Sequence, residues 1–241
     1  MTGAVPYPEY LAELVGRVRA VAGERLVGAW LVGSAALGDF DPARSDLDVQ
    51  AVTAERLSRA ERRLIVETAS HEALPCPVRG LELVLYAREE LVVPAYELNL
   101  NTGPRMERRV SYDAGEEPRF WFVLDLAIGR EHGIALAGPP SREVIPELPR
   151  ATVLEALREA LTWYAGEGGD EAQTVLAACR AWAWASDGVW RSKGDAANWA
   201  RGRLPDPGPV DRALAHRDDP AAPPPSARER EALVSCALAA A

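Results

Sequence analysis

The chain has 241 residues, and 36 Asp and Glu against 27 Lys and Arg give it a formal charge of −9. That length allows one large domain or two modest ones, and the acidic balance argues against the clustered basic surface of a nucleic-acid binder while suiting a cationic partner. No apolar run reaches the roughly eighteen residues of a membrane span, and the first residues show no charged segment followed by an apolar one, so a cytoplasmic protein without membrane contact is expected.

From Pro8 to about Val21, apolar Leu11, Leu14, Val15 and Val18 recur at helical spacing among Glu9, Glu13, Arg17 and Arg19, which predicts an amphipathic helix lying on a sheet. Leu26 to Val32 is an apolar run of strand length, followed by a Gly33-Ser34 turn and a short helix from about Ala35. Asp46 to about Thr53 alternates with period two and predicts a second strand, with Asp46 and Asp48 aimed at one side. A helix is expected over Glu55 to Ala73, then a strand over Leu81 to Tyr86 in which Glu82 sits among large apolar residues. A carboxylate there must find a partner, take a proton or lie on an exposed face.

Tyr96 to Asn101 alternates again, and the polar stretch from Arg105 to Pro118 reads as a loop over the site. A helix follows over Phe120 to about Gly129, with Asp125 its one carboxylate, then a short strand over Ile134 to Ala137 and a Gly-Pro-Pro boundary. Past about Arg150 the pattern is helix after helix, starting near Thr152, Glu171, Lys193, Val210 and Arg228, with glycine- and proline-rich breaks between. The expected architecture is a mixed-sheet α/β domain over 1–148 and a helical bundle over 149–241, with a cleft between them. Cys76, Cys179 and Cys236 read as buried thiols, and Trp182, Trp184 and Trp199 as bundle core.

The chemistry gathers on Gly33 to Val49, where a phosphate-cradling turn stands about a dozen residues ahead of a paired-carboxylate strand. Two carboxylates on one strand face repel each other unless a divalent cation sits between them, so Asp46 and Asp48 suggest an oxygen-ligand Mg²⁺ site. The backbone after Gly33 and the Ser34 hydroxyl suit phosphate oxygens.

Gly33-Ser34 followed by Ser45-Asp46-Leu47-Asp48, with Glu82 on a later strand, closely resembles the signature of the DNA polymerase beta-like nucleotidyltransferases. From about Leu26 to Leu204 the chain also resembles the bacterial aminoglycoside adenylyltransferases of the AadA type. That likeness runs through Arg130 to Pro139, Gly169-Asp170-Glu171, Arg180 with Trp182, and Lys193 ahead of Ala196-Ala197-Asn198-Trp199-Ala200. It implies Mg²⁺-dependent transfer of AMP from ATP to a hydroxyl of streptomycin or spectinomycin by a monomer. Asp46, Asp48 and Glu82 would hold the metal, and Glu82 would take the hydroxyl proton. Gly33, Ser34, Ser45, Asp125, Arg180 and Lys193 would serve the nucleotide, and Asp170 the cationic drug. Asp170 also has the composition and place of an N-cap for the helix after it.

Streptomycin-modifying members carry a tryptophan shortly after a Glu-Leu segment, whereas this chain has Glu97-Leu98-Asn99-Leu100-Asn101-Thr102-Gly103, which leaves Trp121, Trp163 or Tyr112 to supply an aromatic wall. The acceptor therefore stays open between such an antibiotic and a protein or metabolite hydroxyl. A non-catalytic binding or antitoxin module would have no reason to keep three clustered acids.

Overall fold

The computed structural model describes residues 5–168 and 170–241, which fall into two compact units, one ending at Leu148 and one running Pro149–Ala241. In the first, chain order is α1 (Pro8–Ala22), β1 (Leu26–Leu31), α2 (Gly33–Ala36), β2 (Leu47–Thr53), α3 (Arg59–Ala69), β3 (Leu81–Ala87), β4 (Leu98–Gly103), β5 (Met106–Ser111), α4 (Arg119–His132), β6 (Ile134–Ala137) and α5 (Ser141–Val144). The six strands form one sheet in the order β5-β4-β3-β2-β1-β6. Only β2 and β3 pair in parallel, and α3 supplies the crossover that a parallel pair requires.

Alternation decides what each side of the sheet meets. Ala29, Leu31, Leu47, Val49, Ala51, Leu81, Leu83, Leu85, Leu98 and Leu100 join Leu11, Leu14, Val15 and Val18 of α1 and Ile65, Val66 and Ala69 of α3 in one apolar core. Burial of this kind supplies about 25 cal/mol per Å² of apolar surface and drives the layering. On the other side, Gly129 of α4 lies so close to Gln50 that a Cβ there would stand 2.4 Å from its Oε1.

Two expectations give way here. The helix after β2 is shorter than the span Glu55 to Ala73, because Ser58 and Glu61 form a capping box that starts it at Arg59. At its other end extended Ser70 closes it, the Ser70 hydroxyl donating to Val66 O at 2.5 Å. The stretch from Arg105 to Pro118 is a loop only in part: Met106–Ser111 pairs with β4 as the sheet's edge strand, and 112–118 has neither helix nor strand. The strand's polarity reflects that edge position, where exposed Glu107, Arg108 and Arg109 discourage pairing with another chain.

The second unit comprises α6 (Arg150–Trp163), a π turn over Tyr164–Gly168, α7 (Glu171–Asp187), α8 (Lys193–Arg201), α9 (Gly208–Asp218) and α10 (Ala227–Ala240). The central helix is α7, packed against the other four and burying Val175, Leu176 and Cys179. Gly188, at φ +73, ends it in the left-handed conformation that favours glycine. Of the three tryptophans read as core, Trp184 is buried and stacked on Trp190. Trp182 and Trp199 meet edge to face and stay partly exposed, with the Arg203 guanidinium 3.9 Å over the Trp199 ring. Cys236 is exposed, against expectation, because it falls beside the buried stripe of Leu233, Val234 and Ala237 on α10.

Candidate active site

Site residues of the first unit collect where β1 and β2 meet α2 and where β2 runs beside β3. Gly33 follows β1 with φ +61, and a Cβ built on it would stand 1.8 Å from Asp48 Oδ2. Only glycine fits both the backbone angle and that approach. Val32 N–H donates to Asp48 O at 2.8 Å, fixing the turn against β2. Beside Gly33, the Ser34 hydroxyl is buried and has no hydrogen-bond partner among the described residues. A buried hydroxyl without a partner is costly and fits a bound oxyanion.

Ser45 is engaged in its own loop. Its Oγ accepts from Asp41 N–H at 3.0 Å and its N–H donates to Asp41 O at 2.8 Å, so it closes the turn that delivers Asp46 to β2. Asp46 Oδ2 accepts from Arg79 Nη1 at 2.8 Å.

Asp48 on β2 lies directly opposite Glu82 on the parallel neighbour β3. Burial, then the charges of Asp125, Asp46 and Glu117, push the Glu82 carboxyl up to about 8, with Arg109 opposing them. So the sequence-predicted Asp46, Asp125 and Glu82 all act on one spot, although they come from the loop before β2, from α4 and from β3. Among the described residues no three His, Cys, Asp or Glu side chains stand as a metal-ligand group. The donor set consists of hard carboxylate oxygens, and the like charge bearing on Glu82 together with the unpartnered Ser34 hydroxyl fits a Mg²⁺–phosphate pair.

The same sheet face holds polar groups that were not singled out from sequence. Asn99 and Asn101 of β4 and Gln50 of β2 are buried there, and both amide atoms of Gln50 lack partners among the described residues. Tyr86 on β3, fully buried, has an unpartnered hydroxyl near Asp125 and Glu82. The signal was legible as Leu-Asn-Leu-Asn at 98–101, whose alternation puts both amides on one face. Tyr112 packs against the apolar core on the opposite side, which removes it as an aromatic wall.

In the second unit, Lys193 Nζ donates to Gln173 Oε1 at 2.6 Å. Gln173 and Arg180 are seven residues apart on α7 and share a face, so Lys193 and Arg180 stand on one side of this unit. Asp170 is exposed and caps α7, its Oδ1 accepting from Gln173 N–H at 2.7 Å. The capping role is thus the one its geometry displays.

The family described as aminoglycoside adenylyltransferase, C-terminal domain, matches residues 143–237. An aminoglycoside (3'')(9) adenylyltransferase of Klebsiella pneumoniae is 30% identical over 206 residues, covering 81% of this chain and 78% of the relative. A spectinomycin 9-adenylyltransferase of Staphylococcus aureus is 29% identical over 213 residues, covering 82% of this chain and 79% of its own length. The fold is that of spectinomycin adenyltransferase AAD(9) from Enterococcus faecialis, solved with ATP and spectinomycin: the two superpose with a TM-score of 0.71 at 18% identity over 95% of this chain and 98% of that one. On these similarities, the chain belongs to the aminoglycoside (3'')(9) adenylyltransferase family.

Proposed function

We propose that this protein transfers AMP from ATP to a hydroxyl of a streptomycin- or spectinomycin-type aminoglycoside. The observation that carries the reading is the placement of Glu82 in register with Asp48, beside the Gly33-Ser34 turn. The acceptor hydroxyl oxygen attacks the α-phosphorus, the bond to the bridging oxygen of pyrophosphate breaks, and the hydroxyl proton passes to the Glu82 carboxylate. Burial, then the charges of Asp125, Asp46 and Glu117, raise the proton affinity of the Glu82 carboxylate in the metal-free protein, which suits a group that takes up a proton during transfer.

Gly33 and Ser34 hold the nucleotide phosphates, the Ser34 hydroxyl gaining a partner that none of the described residues supplies, and Ser45, which closes the turn ahead of Asp46, serves the same group. Asp125 bears on Glu82 from α4 and adds to burial in raising its proton affinity. A Mg²⁺ ion held by Asp46, Asp48 and Glu82 would supply positive charge to the departing pyrophosphate. On the second unit, Lys193 and Arg180 stand on one side as cationic side chains suited to an anionic ligand such as a nucleotide. Asp170, whose cap uses Oδ1, offers its second oxygen to a cationic drug, an interaction worth about 1 kcal/mol or less if exposed.

The test is to incubate the protein with ATP, Mg²⁺ and either streptomycin or spectinomycin and to look by mass spectrometry for an AMP adduct. An adduct on one or both drugs is expected. ATP turnover without an adduct on either would move the acceptor to a protein or metabolite hydroxyl.

A further inference from the structure

A polar row crosses four strands of the sheet. Asp48 pairs with Glu82, Glu82 with Asn101, and Asn101 with Arg109, each directly opposite in register. Asn101 therefore stands on the Glu82 face, with the two Cβ atoms about 5 Å apart.

The Asn101 amide has no freedom to choose which end it presents. Glu117, just ahead of α4, is a carboxylate and can only accept. Its Oε2 pairs with Arg109 Nη2 at 3.4 Å, and its Oε1 accepts from Asn99 Nδ2 at 3.1 Å. Asn99 must then turn its oxygen the other way, where it accepts from Asn101 Nδ2 at 3.1 Å. Asn101 in turn points its nitrogen at Asn99 and keeps its oxygen for something else. None of the described residues donates to that oxygen. Asn99 is 1% and Asn101 9% exposed, so the relay is shielded from water and its polarity is costly to reverse.

We propose that Asn101 Oδ1 accepts a hydrogen bond from a second donor group of the acceptor substrate, a hydroxyl or ammonium beside the hydroxyl that is adenylylated, and that Glu117 sets this polarity through Asn99. The inference rests on the transfer reaction proposed above and adds a specificity-determining residue to it. Amino sugars and aminocyclitols carry such neighbouring donors. A neutral amide oxygen receives one without adding another like charge beside Glu82, which already has Asp46, Asp125 and Glu117 bearing on it. That explains an asparagine here where a carboxylate would bind an ammonium more strongly.

The experiment measures steady-state AMP transfer to spectinomycin and to streptomycin, with separate KM values for drug and for ATP. Asn101→Ala should raise the drug KM about tenfold, the loss of one good hydrogen bond, and leave the ATP KM within about twofold. Asn101→Asp alone should be at least as harmful, because its oxygen meets the Asn99 oxygen while Glu117 still forbids Asn99 to turn round. Glu117→Gln combined with Asn101→Asp permits the whole relay to reverse and again presents an oxygen to the drug. The drug KM of the double variant should return to within about threefold of wild type, since the count of hydrogen bonds is restored. A structural role for Asn101 predicts no such rescue, so a double variant as poor as Asn101→Asp overturns the proposal. So does an Asn101→Ala enzyme with a wild-type drug KM, or one whose two KM values rise together. If the wild-type protein transfers AMP to neither drug, the proposed function fails and takes this inference with it, an outcome distinct from normal transfer with an unchanged drug KM in Asn101→Ala.

Discussion

On one side of the sheet, Leu47, Val49, Leu81, Leu83, Leu98 and Leu100 are at most 2% exposed and pack beneath α1 and α3. On the other, the residues between them are Asp48, Glu82, Asn99 and Asn101, with Gln50, Tyr86 and Ser34 nearby holding polar atoms that lack partners. The apolar face has every reason to be stable. The polar face accumulates like charge and orphaned hydrogen-bonding groups, each a cost to folding that persists only if a ligand repays it. One set of strands thus differs by residue parity: one face holds the fold together, and the other carries the acids and amides proposed to serve ATP and an acceptor.

Three substitutions sharpen that contrast, in decreasing order of their effect on stability. Leu83→Ala cuts into the apolar face at a fully buried position and should cost about 2–5 kcal/mol in denaturant unfolding, while transfer per folded molecule stays near wild type. Gly33→Ala belongs to the polar side. Its left-handed φ costs about 1–2 kcal/mol for alanine, and the overlap with Asp48 Oδ2 should displace that carboxylate and cut transfer far more than the lost stability explains. Ser58→Ala removes a cap remote from the site and should cost about 1 kcal/mol with no change in kcat.

The cap carries a pH signature as well. Arg25 and then Ser58 hold the Glu61 carboxyl down at about 2, from an ordinary 4.5. A depressed folded-state pKa gives stability that is complete above the ordinary value and lost as pH falls toward 2. Acid unfolding of Ser58→Ala should therefore depend less steeply on pH across that window, as followed by circular dichroism.

Much of this was legible from residue order alone. The alternation of Asp-Leu-Asp-Val and the apolar runs at Leu26 and Leu81 lead to β1, β2 and β3 within about a residue, because a half-buried strand must alternate and a buried one cannot carry charge freely. β5 was hidden because edge strands are polar on both sides and lack that pattern. The short span of α3 was available in Ser58-x-x-Glu61, a local signal outweighed by apolar periodicity. Gly33, Asp48 and Glu82 stood out because their types and order are chemically unusual. Asn99 and Asn101 showed only as the alternation Leu-Asn-Leu-Asn and Glu117 not at all, since amides and surface-like acids do not announce a chemistry, and their relay exists only once β4, β5 and the start of α4 are brought together.

The division between the faces is tested most directly on Glu82→Gln, by measuring ATP affinity, AMP transfer and thermal unfolding on one preparation. Removal of the proposed base should cut transfer by about 10²–10⁴-fold with ATP affinity nearly intact. Melting of the ligand-free protein should stay level or rise, because a carboxyl crowded by Asp46, Asp125 and Glu117 has been taken away. Transfer within a few-fold of wild type would contradict the assignment of Glu82 as the base, and a clear drop in melting temperature would contradict the placing of Glu82 among groups that cost stability.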